Sequence, residues 1–133
     1  PRLKALDTNV IVRLLVNDDK AQALRAKSIL EKAEVESERY FLPLLVILET
    51  VWVLSAVYQL SRSQILDALE MLTQMPVLKL ERYEAVLELV RIGRSGNADL
   101  PDVLIGLSAK NQGCETTLTF EKNLEETTLF ERI

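Results

Sequence analysis

Tyr40-Phe41-Leu42-Pro43-Leu44-Leu45-Val46-Ile47-Leu48-Glu49-Thr50-Val51-Trp52-Val53-Leu54 decides the fold. Tyr40 to Leu42 reads as a strand, and Pro43 ends it because proline has no N–H to offer a ladder. Leu44 to Leu60 is the most apolar piece of the chain. Its length argues for a helix, and apolar residues occur all round it, so it should be buried on more than one side. It should pack on a sheet and also beneath a neighbouring helix or a second subunit. Glu49 is its only acid. Glutamate is almost never fully buried without a partner, so it either escapes to solvent at the helix rim or faces a cleft where a cation neutralises it.

The same alternation extends in both directions. Upstream, Leu3 to Leu6 reads as a short strand that runs into Asp7-Thr8-Asn9, and a helix follows over Val10–Val16. Asn17-Asp18-Asp19 marks a turn, with both aspartates read as caps of a helix from Lys20 to about Ser37. Downstream, Ser61 and Gln64 have capping-box spacing and open a helix that Pro76 stops. Val77–Leu80 is a third strand and Tyr83–Arg94 a further helix. The helix opened by Asp99 and Asp102 runs to Asn111, with Gly113 just past its end. Cys114 reads as a buried or half-buried small residue. Thr116–Thr119 is a fourth strand, and Leu129–Ile133 adds a short fifth. Strands alternating with helices imply an α/β fold, with a mostly parallel central sheet of four to five strands flanked by helices in three layers. One domain over 1–133 suits the length.

Asn97-Ala98-Asp99-Leu100-Pro101-Asp102 places two carboxylates on one face of a first helical turn, with Cβ atoms about 5–6 Å apart. Capping accounts for the pair taken alone: Asp99 as N-cap, Pro101 in the first turn and Asp102 favourable to the helix dipole. Other acids change the balance. Asp7 and Glu121 stand at the carboxyl ends of the first and fourth strands, where parallel sheets bind their ligands. A sheet that sets the first strand beside the fourth would collect Asp7, Asp99, Asp102 and Glu121 in one crevice, with Glu49 within two turns of the second strand. So many carboxylates cannot all stay ionised together unless cations bind.

Composition narrows the chemistry. The 133 residues include one cysteine and no histidine, so Cys/His zinc sites and histidine general bases are excluded. A metal would be held by oxygen, which favours Mg²⁺ or Mn²⁺, and the matching reaction is phosphodiester hydrolysis. Net charge is −4, so contact with nucleic acid must rest on a local patch or on metal ions. No run of apolar residues reaches the ~18 of a membrane span and no signal peptide is visible, which implies a soluble cytoplasmic protein.

Asp7-Thr8-Asn9 after a first strand, lone Glu49 in an apolar helix, Asp99-x-x-Asp102 opening a late helix and Thr119-Phe120-Glu121-Lys122 after the next strand together resemble the PIN-domain nucleases. The closest likeness is to VapC-type toxins of prokaryotic toxin–antitoxin pairs, and it covers essentially the whole chain. The resemblance implies a dimeric, Mg²⁺- or Mn²⁺-dependent endoribonuclease blocked by a cognate antitoxin. It assigns Asp7, Glu49 and Asp102 to an acidic core that holds metal, Asp99 to an accessory acid, and Asn9 and Thr119 to orienting roles. Glu121 departs from the pattern, since aspartate is usual there. Ligation by its longer side chain is direct, water-mediated or lost.

Arg13, one turn after Asn9, and Lys122 are candidates for phosphate contact. An aspartate-phosphorylating phosphatase would want an acid where Asn9 stands, and a phospho-acceptor domain an aspartate ending the third strand, which instead leads to Leu80-Glu81. A catalytically silent protein- or RNA-interaction module is the alternative of a different class.

Overall fold

The computed structural model describes residues 3–133. In chain order the elements are β1 (Lys4–Ala5), α1 (Thr8–Leu15), α2 (Lys20–Val35), β2 (Tyr40–Leu42), α3 (Leu44–Ala56), α4 (Arg62–Thr73), β3 (Leu78–Leu80), α5 (Tyr83–Ser95), α6 (Leu100–Asn111), β4 (Thr117–Thr119), a 3-10 helix (Lys122–Glu126) and β5 (Phe130–Arg132). The fold is α/β and every strand pairing is parallel.

The strands form two sheets, one in the order β1-β2-β3 and one of β4 with β5. The expected neighbouring of the first and fourth strands is not made through a ladder among the described residues. The strands are only two or three residues long, and β1 spends its ladder on β2, with Lys4 opposite Tyr40 and Ala5 opposite Phe41. Helices carry most of the packing. α3 lies against α1, α4 and α6, and α5 lies between α4 and α6.

Ile47, Thr50, Val51 and Leu54 form the buried face of α3 and meet Ile11, Leu42, Leu69, Leu89 and Val103 in one core. The helix therefore buries one broad face. On the other side Leu45 is 77% and Trp52 59% exposed. Thr50 is fully buried and its hydroxyl has no hydrogen-bond partner among the described residues. A buried hydroxyl without a partner forfeits its hydration and gains nothing, whereas valine keeps the shape. Thr50→Val is expected to stabilise the protein by about 1 kcal/mol, read as a higher urea midpoint at unchanged slope. A loss of stability would show that the hydroxyl is bonded after all.

Capping sets the helix starts. The Ser61/Gln64 capping box forms in both directions. Asp19 caps α2, but Asp18 does not: it accepts from the Tyr58 hydroxyl at 2.7 Å and pairs with Arg13 at 3.3 Å. A partner distant in sequence thus takes the residue that a local reading gave to the turn. α1 begins at Thr8, two residues earlier than expected, because Asp7 is its N-cap.

α3 ends at Ala56, short of Leu60. Gln59 turns left-handed (φ 53°), the Leu60 N–H reaches back to the Leu54 carbonyl, and Ser61 is committed to capping α4. At the end of α6 Gly113 is left-handed as expected (φ 91°). Its N–H bonds the Lys110 carbonyl while that of Cys114 bonds the Ala109 carbonyl. This closed helix end turns Cys114 outward, and its side chain is exposed rather than buried.

Candidate active site

Asp7 follows β1 as the N-cap of α1 and accepts the Val10 N–H at 3.2 Å on Oδ1. One residue on, Thr8 is buried and donates its hydroxyl to Glu49 Oε1. α1 packs on α3, so the Asp7 turn and Glu49 are held together by that hydroxyl. Glu49 is itself exposed, on the open side of α3.

The second group of acids lies at the start of α6 and just after β4. Asp99 is the N-cap of α6 and accepts the Asp102 N–H at 3.2 Å. Pro101 stands in the first turn, as its lack of an N–H allows. The Asp102 carboxyl is pushed above the ordinary aspartate range, first by burial, then by the negative charges of Asp99 and Glu121. Glu121 is therefore within electrostatic reach of α6. Its own backbone is fixed: its N–H donates to Thr119 Oγ1 at 3.0 Å. Glu126, in the 3-10 helix, accepts the Asn97 N–H at 2.7 Å and the Ala98 N–H, and so ties this segment to the loop before α6.

The acids thus form two groups, Asp7 with Glu49 and Asp99 with Asp102 and Glu121. α3, which touches both α1 and α6, is the element that links them. Among the described residues no three acidic or cysteine side chains converge closely enough to hold one metal ion. Part of the reason is visible in the bonds. Asp7 and Asp99 each turn one oxygen toward the helix they cap, and Glu49 turns one toward Thr8. Each keeps a second oxygen for a ligand. The donor set suits a hard divalent cation, being all carboxylate, and Asp102 carries repulsion that such a cation would relieve.

Arg13 is spoken for. Its guanidinium donates to Tyr58 Oη at 3.0 Å and to Gln22 Oε1 at 2.7 Å, and pairs with Asp18. The Tyr58 bond and the Asp18 charge hold its proton more firmly than usual. It still lines, with Asp7, Asn9, Gln22 and Arg25, a surface cavity of about 350 Å³. Arg25 was not singled out by the sequence, since nothing in its helical neighbours distinguishes it from other surface cations. Lys122 is exposed and makes no ion pair among the described residues. Asn9 is exposed and its side chain bonds none of these acids among the described residues. The residue whose hydroxyl bonds Glu49 is Thr8.

Among the described residues no helix is long and apolar enough to cross a membrane. No curated protein is matched by the sequence. One family model, described as PIN domain, matches residues 4–128, and its span includes all five acids. PIN domains are nuclease-type domains that typically work with divalent metal ions. The match covers nearly the whole chain, and the chain belongs to the PIN domain family.

Proposed function

We propose that this single-domain protein is a Mg²⁺- or Mn²⁺-dependent endoribonuclease, the VapC-type toxin of a toxin–antitoxin pair, acting as a cytoplasmic homodimer. The observation that carries the reading is Asp102: a partly buried carboxyl whose charge is opposed by Asp99 and Glu121 is a site waiting for positive charge. Asp7, Glu49, Asp99 and Asp102 would hold the metal. The bound ion would supply an activated water and stabilise charge on the phosphoryl oxygens.

The chain's own residues position that chemistry. Thr8 fixes Glu49, the caps of α1 and α6 fix Asp7 and Asp99, and Thr119 fixes the backbone of Glu121. Arg13, which lines the cavity beside Asp7, and Lys122, which directly follows Glu121, would steady the substrate's phosphates. The exposed Leu45 and Trp52 on α3 support a second subunit over that face, with a cognate antitoxin covering apolar surface nearby. The deciding experiment is cleavage of single-stranded RNA by the purified protein with Mg²⁺ or Mn²⁺ and with chelator. Cleavage that persists in chelator, or none with either metal, sinks the reading.

A silent interaction module is favoured by one observation, the absence of a closed three-ligand set among the described residues. It requires RNA or protein binding with no cleavage under any divalent metal.

Glu121 gives a graded test. It reaches further than the usual aspartate, so it is expected to act through water or on a weaker second ion. Glu121→Gln should lower cleavage by roughly 10–100-fold, the range for groups one step removed from a metal. Glu121→Asp should keep or raise activity. Complete loss would make Glu121 a direct ligand, and no loss would make it an ordinary loop acid.

A further inference from the structure

Arg13 makes three hydrogen bonds through two of its three nitrogens. Nε donates to Gln22 Oε1 at 2.7 Å, and Nη1 donates to Tyr58 Oη at 3.0 Å and to Asp18 Oδ1 at 3.3 Å. The tyrosine hydroxyl accepts from Arg13 while its own proton is committed to Asp18 Oδ2 at 2.7 Å. Among the described residues Nη2 has no partner. A guanidinium is a rigid plane of N–H donors, so fixing Nε and Nη1 also fixes the direction of the two N–H groups on Nη2.

The clamp is drawn from separate parts of the chain. Gln22 is on α2, Asp18 in the turn before it, and Tyr58 just beyond the end of α3. α1 is thereby tied to α3 twice, by Thr8 to Glu49 at its start and by Arg13 to Tyr58 near its end. An exposed ion pair such as Arg13–Asp18 adds little to stability. What the clamp does accomplish is to hold a cation, with one nitrogen left open, at the wall of the cavity that Asp7 also lines. A phosphate approaching Asp7 meets acids on a chain of net charge −4. A guanidinium already fixed there offsets that repulsion without the entropy cost of ordering a free arginine.

Resting on the nuclease reading above, we propose that Tyr58 and Gln22 are positioning residues: they hold Arg13 so that its Nη2 meets a phosphate of the RNA strand bound at Asp7. Asp18 serves the same end by taking the Tyr58 proton, which turns a lone pair of the hydroxyl toward Arg13.

The test uses the full chain, a short RNA that the wild type cleaves, and steady-state kinetics with Mg²⁺ or Mn²⁺. Tyr58→Phe removes the hydroxyl and keeps the ring. It should raise KM by about 10-fold, the effect of losing one charge-assisted hydrogen bond to phosphate, and change kcat little. Gln22→Ala, at an exposed helical position, should act in the same direction. Arg13→Ala should raise KM at least as far and lower the salt slope of log KM by about one, as expected for one lost phosphate contact. In the Arg13→Ala background neither Tyr58→Phe nor Gln22→Ala should raise KM further, because each acts through the guanidinium. A mere staple between helices would behave otherwise: Tyr58→Phe would lower the melting temperature and leave KM and its salt slope as they were. That result, or KM effects that add to those of Arg13→Ala, overturns the positioning role and leaves the nuclease reading intact, since the wild type still cleaves. A wild type that cleaves no RNA with either metal removes both readings together.

Discussion

Asp102→Asn is expected to lose metal-dependent cleavage by more than the roughly 100-fold typical of groups one step removed from a metal, and to melt at a higher temperature than the wild type at pH 7. The two effects share one cause. Burial and the charges of Asp99 and Glu121 raise the folded-state pKa of Asp102 above its ordinary value of 3.8. A carboxyl whose folded pKa is raised binds its proton more tightly in the native state than in the unfolded one. Its ionisation therefore costs native stability as pH rises through the folded value. Asparagine removes that cost at neutral pH. Below pH 3.8 the wild-type carboxyl is protonated in both states, so the advantage of the variant should fade there.

Adding Mg²⁺ or Mn²⁺ should raise the melting temperature of the wild type and do less for Asp102→Asn, since a ligand stabilises only the state it binds. The fold should survive, because the cap of α6 is Asp99 and the Asp102 N–H that it accepts is untouched. Full activity in the variant, or a melting temperature that falls at pH 7, would separate Asp102 from the site.

Gly106→Val is expected to destabilise the fold strongly. Gly106 is buried on α6, one turn past Asp102, where β5 approaches. A Cβ there would stand 2.8 Å from Phe130 Cε2, 2.9 Å from Phe130 Cζ and 3.1 Å from Leu129 Cβ. The phenyl ring can swing aside, but Leu129 Cβ moves only with its backbone. Valine adds two further methyls and loses rotamer freedom in the helix, so the gain in helix propensity over glycine is outweighed. Overpacking of this kind costs about 1–3 kcal/mol, and the upper end is expected, as a melting temperature lower by about 10 °C.

The change should also reach the chemistry. β5 pairs with β4 through Phe130–Thr117 and Arg132–Thr119, and Glu121 follows two residues after Thr119. Pushing β5 off α6 carries Glu121 away from Asp102, so cleavage should fall further than the folded fraction does. An unchanged urea midpoint would show that β5 has room to yield.

Much of this was legible in the chain. The alternation of strand and helix gave the α/β class because its signals are local: Pro43 and Pro76 as stops, the Ser61/Gln64 box, Gly113 in its left-handed position. What failed depended on partners distant in sequence. Asp18 looked like a cap and instead joins Tyr58 and Arg13, forty and five residues away. The last turn of α3 is undone by Ser61, which belongs to the next helix. The bond Thr8 makes is visible only once Glu49, forty-one residues on, is placed against it. The division of the strands into two sheets was invisible, because hydrophobic pattern identifies strands and not their neighbours.

That division has a consequence for amide hydrogen exchange. β2 is flanked by β1 and β3, so its N–H groups sit within ladders on both sides and should exchange slowest of any strand. Among the described residues β1 and β4 each have a single neighbour, and Asp7 and Glu121 follow the ends of these two half-paired strands. An ion held between Asp7 and the acids at α6 would pin one strand relative to the other without touching a backbone amide. Deuterium uptake in β1 and β4 should therefore slow when Mg²⁺ or Mn²⁺ is added, while that of β2 stays as it was.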